Sequence, residues 1–92
     1  MTESIIQTGP KQCYLCGRQI GLERHHVMAG SNRKLSEKYG LTVWLCHNCH
    51  TGTKGAQYDR TKGNSLKQDA QRAFEKKHSH EEWMAIFRKN YL

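Results

Sequence analysis

The chain has 92 residues, a formal net charge of +7 from 15 Lys and Arg against 8 Asp and Glu, and a hydrophobic fraction of 36%. That length allows one small domain with a limited apolar core, and this composition fits a folded chain rather than a disordered one. No apolar run is long enough to span a bilayer, and so large a basic surplus points to a polyanionic partner.

Residues 1–10, MTESIIQTGP, lack the basic start and long apolar centre of a signal peptide, so an intracellular protein is expected. They read as a flexible arm ahead of a single domain over residues 11–92, with Ile5 and Ile6 able to dock on it. Cys13-Tyr-Leu-Cys16 follows, and Gly17 suits the tight turn of a metal knuckle. Leu22–Val27 predicts a short strand. Gly30 marks a turn. Ser31 or Asn32 is positioned to cap a helix whose Leu35 and Tyr39 share a face and which Gly40 ends. Leu41–Leu45 is β-branched and aromatic, and is predicted to pair antiparallel with the first strand and lead into Cys46.

Residues 51–64 carry Lys54, Arg60 and Lys62 among Gly, Thr and Asn, and read as a mobile basic segment. Asn64 or Ser65 is predicted to open a helix, with Gln68 completing a capping box. Its apolar face holds Leu66, Ala70, Ala73, Phe74 and Lys77. Ser79 and Glu82 form a second box before a helix with Trp83, Ile86, Phe87 and Tyr91 on its buried stripe. The two helices are expected to pack as a hairpin on the metal-bound unit.

Cys13, Cys16, Cys46 and Cys49 make two Cys-x-x-Cys pairs. In a reducing compartment disulfides are rare, and two knuckles can close a tetrahedral structural Zn2+ site. Disulfides or a redox pair are the alternatives. The long intervening stretch implies that the metal clamps the base of an inserted structure. His50 directly follows the last cysteine, and His25-His26 lies between the pairs. Three imidazoles in one cleft suit a divalent first-row metal. Such an ion stabilises charge on a phosphate leaving oxygen, while a free imidazole takes a proton from water. Adjacent strand residues point to opposite faces, so His25 and His26 can share one phosphate only if the strand bends near Met28-Ala-Gly.

Taken together, Cys13-x-x-Cys16, Glu23-Arg-His25-His26-Val, Gly30-Ser-Asn32-Arg33-Lys and Leu45-Cys-His-Asn-Cys49-His50 resemble the small zinc-containing HNH nucleases of the ββα-metal class, common in phages and prophages. The likeness runs from about Cys13 to the closing Phe87-Arg-Lys-Asn90-Tyr-Leu. It implies an α+β fold, a ββα-metal core with a four-cysteine zinc site and two C-terminal helices packed on it. It also implies metal-dependent hydrolysis of DNA to 3′-hydroxyl and 5′-phosphate ends. By position, His25 and His50 would hold a catalytic divalent metal (Mg2+, Mn2+, Ni2+ or Zn2+), and His26 would be the general base. A phage packaging or recombination protein is the partner that the resemblance suggests beside DNA.

Two positions depart from that pattern. The family's middle Asn is missing, with Gly40 and Leu41 in its region. A backbone carbonyl or a residue such as Asn32 would have to brace the loop and orient the base. Where relatives carry a further histidine, this chain has Gln57, a candidate ligand that offers only a carbonyl oxygen. Arg33, Lys34, Lys54, Arg60 and Lys62 are candidates for phosphate contacts. Less specific readings exist for each histidine. His50 could bind the structural zinc or cap a helix, His25 and His26 could simply end a strand, and His47, His78 and His80 read as solvated. Trp44, Phe74, Trp83 and Phe87 read as core. The rival functions are a zinc-stabilised nucleic-acid-binding or regulatory module without catalysis, and an interaction adaptor using the last helices.

Overall fold

The strongest β-forming run in the chain becomes the central strand. In the computed structural model, which describes residues 3–51, 55 and 59–92, strand β2 covers Thr42–Cys46 and is buried at four of its five positions. It pairs antiparallel with β1, Leu22–His26, in a register that sets Leu22 opposite Cys46, His25 opposite Val43 and His26 opposite Thr42. Among the described residues these two strands are the whole sheet. The architecture is mixed α+β, and no described helix is long and apolar enough to cross a membrane.

The connection between the strands holds a 3₁₀ turn, Gly30–Asn32, and helix α1, Arg33–Tyr39. Asn32 occupies the N-cap position but makes no side-chain capping bond. The helix is anchored instead by Ser36. Its fully buried hydroxyl accepts from the Met28 N–H at 2.9 Å and donates to the Met28 carbonyl at 2.6 Å, tying α1 to the chain just beyond β1. Gly40 ends α1 in the left-handed region at φ 72°, as expected. A short helix, α2, His47–His50, follows β2 without a break.

Helix α3 runs Arg60–Glu75, starting earlier than the predicted Asn64 or Ser65. Asp59 is the N-cap, its carboxylate accepting from the Lys62 N–H at 3.2 Å. Two capping sequences competed here. Starting at Asp59 gains a further turn of backbone bonds, which offsets the cost of Gly63 inside the helix, about 1 kcal/mol relative to Ala. Residues 60–64, expected as part of a mobile segment, are therefore helical. The buried face carries Leu66, Ala70 and Phe74 as predicted, but Gln71 is buried where Lys77 had been expected, and Lys77 is exposed. The Gln71 amide donates to Glu75 and Asn90, each at 2.7 Å, and accepts from the Tyr91 N–H at 2.7 Å, so it fastens the C-terminal segment.

Helix α4, His80–Phe87, begins at Ser79, whose hydroxyl accepts from the Glu82 N–H as the capping box predicts. Phe74, Trp83 and Phe87 meet in the core with ring centroids 4.2–6.2 Å apart.

The N-terminal residues depart most from expectation. Residues 3–7 are docked along β2 rather than loose. The Ile5 N–H donates to the Gly40 carbonyl at 2.9 Å, Ser4 Oγ donates to the Thr42 carbonyl, and Gln7 Oε1 accepts from the Trp44 N–H at 2.8 Å. The physical reason is the open edge of β2, whose outward N–H and C=O groups require partners.

Gly40 serves two purposes, since a Cβ there would also overlap the Glu3 carbonyl oxygen. Gly40→Ala is expected to lower stability by about 2 kcal/mol or more through the positive φ and the lost docking. Urea unfolding measures this, and an unchanged midpoint would show that neither constraint matters.

Candidate metal centre and histidine site

The four cysteines come together from two backbone turns. In the first, the Cys13 N–H donates to the Arg18 carbonyl at 2.7 Å and the Gly17 N–H to the Cys13 carbonyl at 2.8 Å, with Gly17 at φ 82°. The second is the junction of β2 and α2, which carries Cys46 and Cys49. Tyr14 binds the first turn to the rest of the molecule. Its N–H donates to the Trp44 carbonyl at 2.7 Å and its hydroxyl to Asp69 of α3 at 2.9 Å.

All four cysteines are free thiols, and their sulfurs lie within 4.8 Å of one another. Cys16 Sγ and Cys46 Sγ are 3.6 Å apart. Sulfurs sharing one tetrahedral ion at about 2.3 Å would be separated by about 3.8 Å, so the cluster fits a structural metal. Burial, together with hydrogen bonds from the other three thiols, pushes the Cys49 thiol up to about 12. The Cys13 thiol is lowered to about 6, because backbone N–H groups of Cys46, Cys16 and Leu15 outweigh the opposing effect of its burial. Four thiols this close cannot all ionise without a cation between them.

Strand alternation then sorts the neighbouring side chains. Glu23 and His25 lie on the face of β1 that meets α2. The His25 and His50 rings contact edge to face with centroids 5.1 Å apart. Glu23 Oε1 is 2.8 Å from His50 Nδ1, and its other oxygen is 3.4 Å from Nδ1 of the exposed His47. Hydrogen bonds from His50 and His47 hold the Glu23 carboxyl below its ordinary range. An ionised carboxylate only accepts, so a neutral His50 carries its proton on Nδ1 and keeps the free lone pair on Nε2. Burial lowers His25 to about 4, with help from the charges of His50, His26 and Lys67, so its ring is neutral at pH 7.

Arg24 and His26 take the other face and converge on Glu37 of α1. His26 Nε2 is 2.8 Å from Glu37 Oε2, and Arg24 Nη2 donates to Oε1 at 3.2 Å. This corrects the expectation that three imidazoles share one cleft. Two do, while His26, the last residue of β1, pairs with a carboxylate on the opposite face even though the chain bends directly after it, at Val27 and Met28.

Among the described residues, the group of three or more ligand side chains close enough for one ion is the four cysteines. His25 and His50 are in ring contact but belong to no such group. Imidazoles sharing one ion through a nitrogen each have centroids on the order of 5 Å apart, which the pair matches. Gln57 and Lys54 lie outside the described residues. Arg33 and Lys34 are exposed at the start of α1, and Arg60 and the half-buried Lys62 lie in the first turn of α3.

Sequence reasoning assigned no role to Glu23, Ser36 or Glu37. Glu23 was discoverable, because a residue two before His25 on a strand must share its face. Ser36 and Glu37 carried no such signal, since where α1 docks on β1 is a tertiary matter.

The chain matches no family model, and no curated protein or solved structure is significantly similar to it.

Purified protein is expected to hold one structural metal ion per chain, and Cys49→Ser should lose it together with cooperative unfolding. Elemental analysis and thermal melts test this; a metal-free chain of undiminished stability would refute it. With that ion in place and no other divalent metal added, the His25 ring should protonate near pH 4 in an NMR titration. Its folded value lies below the ordinary 6.5, so its contribution to stability is complete above pH 6.5 and is lost as pH falls toward 4. Titration near 6.5 would mean that the ring is not buried against His50.

Proposed function

We propose that this chain is a metal-dependent endonuclease of the HNH type that hydrolyses phosphodiester bonds in DNA, with structural zinc in the four-cysteine cluster. The observation that carries the reading is the His25–His50 pair, held against the thiol cluster by α2, with His26 next in the chain. The Glu23 contact supports it, because it leaves one His50 nitrogen available as a ligand. The charge of +7 supports a salt-sensitive, largely sequence-independent hold on the DNA backbone.

In this reading His25 and His50 would hold the catalytic divalent ion, whose chemistry when bound is to stabilise negative charge on the leaving oxygen. His26 accepts a proton from the water that attacks phosphorus. The bond from phosphorus to the 3′ oxygen breaks, giving 3′-hydroxyl and 5′-phosphate ends.

In this reading the phosphate lies at the end of β1, where the chain bends at Val27 and Met28 directly after His26, so that rings from both faces of the strand can approach it.

The second reading, a zinc-stabilised nucleic-acid-binding module, is favoured by one observation. The described histidines supply two ligands where a catalytic ion is usually held by more.

Supercoiled plasmid separates the two. With magnesium, manganese, nickel or zinc supplied in turn, the wild type should nick or linearise it, and His26→Ala should reduce the rate by about 100-fold or more. Salt-dependent retardation of DNA without cleavage in any metal would favour the binding module. Cleavage undiminished in His26→Ala would remove that residue from the chemistry.

A further inference from the structure

We propose that Glu37 is a positioning residue that holds His26 in the Nε2–H tautomer, so that Nδ1 presents the lone pair that takes the proton from water. This rests on the nuclease reading, in which His26 is the base.

Three features of the molecule support it. The first is the contact itself, 2.8 Å from Glu37 Oε2 to His26 Nε2. An ionised carboxylate has no hydrogen to give, so the ring nitrogen facing it must carry one, and a neutral ring is then unprotonated at Nδ1. The second is that the carboxylate is held at both ends. Arg24 Nη2 donates to Oε1 at 3.2 Å, and Arg24 and His26, two residues apart on β1, share a face. A single carboxylate–imidazole contact at a half-exposed position is weak and easily rotated, whereas one fixed by a second donor has a defined orientation. The third is the backbone beneath it. The preceding residue, Ser36, bonds to both polar groups of Met28, so α1 cannot slide relative to the end of β1. Ser36 and Glu37 thus divide between them the two tasks expected of a missing asparagine, bracing the loop and orienting the ring. Asn32, the substitute suggested by the sequence, sits at the far end of α1.

The decisive variant is Glu37→Gln, which has nearly the same shape. Arg24 can only donate, so the amide oxygen stays toward Arg24 and the amide NH2 turns toward His26. That NH2 donates to Nε2, which forces the ring hydrogen onto Nδ1 and removes the base. Both tethering contacts survive, so a merely structural Glu37 would tolerate the change.

In plasmid cleavage, Glu37→Gln should lower kcat by about 100-fold or more with KM unchanged. Glu37→Ala, which leaves both tautomers accessible, should lose about 10-fold. Nitrogen-15 spectra should show His26 as Nε2–H in the wild type and Nδ1–H in Glu37→Gln, with circular dichroism and bound metal unchanged. Wild-type kcat in a folded Glu37→Gln, or Nδ1–H in the wild type, would overturn the positioning role while leaving the nuclease reading intact. A wild type that cleaves DNA in no metal would overturn the nuclease reading, and the positioning role with it.

Discussion

Four sulfurs within 4.8 Å of one another join residues 13–16 to residues 46–49, and the rest of the molecule is placed by that junction. Cys46 stands opposite Leu22 in the hairpin, so the cluster closes the end at which β1 begins and β2 finishes. It also sets where α2 starts, and hence that His50 meets His25 and Glu23. A chain of 92 residues has a limited apolar core, and an ion held by the four sulfurs would add to the stability of this end of the hairpin. The core residues on α3 and α4 stabilise the back of the hairpin, but they do not determine the geometry at its mouth.

From that mouth, the two-residue period of β1 distributes the polar side chains. Each face receives one histidine and one carboxylate partner. Glu23 serves His50 beside His25 on one face, and Glu37 serves His26 beside Arg24 on the other. In both pairs a ring nitrogen is committed to an acceptor-only oxygen, which defines the nitrogen left over. A strand composed of Leu-Glu-Arg-His-His would be a poor β-former if propensity alone decided. It is ordered because β2 supplies the buried partner, and because residues 4–7 and Tyr14 satisfy the far edge of β2.

Much of this was legible in the chain itself. The β-branched run before Cys46, the left-handed Gly40, the Ser79 cap and the buried Trp83 and Phe87 of α4, though not Tyr91, which lies beyond the end of that helix, are local features. Their physics acts within a few residues, and the structure contains each of them. The four-cysteine cluster was legible for another reason, since two Cys-x-x-Cys turns have few uses that do not bring them together. The start of α3 was not, because Asp59 and Ser65 both satisfy the rules for a cap and only the extra turn of helix separates them. Nor was the docking of residues 3–7, which depends on the unpaired edge of a strand some forty residues away in the chain.

Local pattern is thus enough to give both strands, most of the helices, the cysteine junction and the histidines worth watching. How those histidines are shared out is set by contacts between distant segments. Alternation along β1 separates His25 from His26, and the docking of α1 through Ser36 brings Glu37 to the second of them. Neither the angle at which a helix lies on a strand nor the partner of a side chain at its edge is encoded in local periodicity. Both follow from long-range contacts that exist only once the chain has closed on itself.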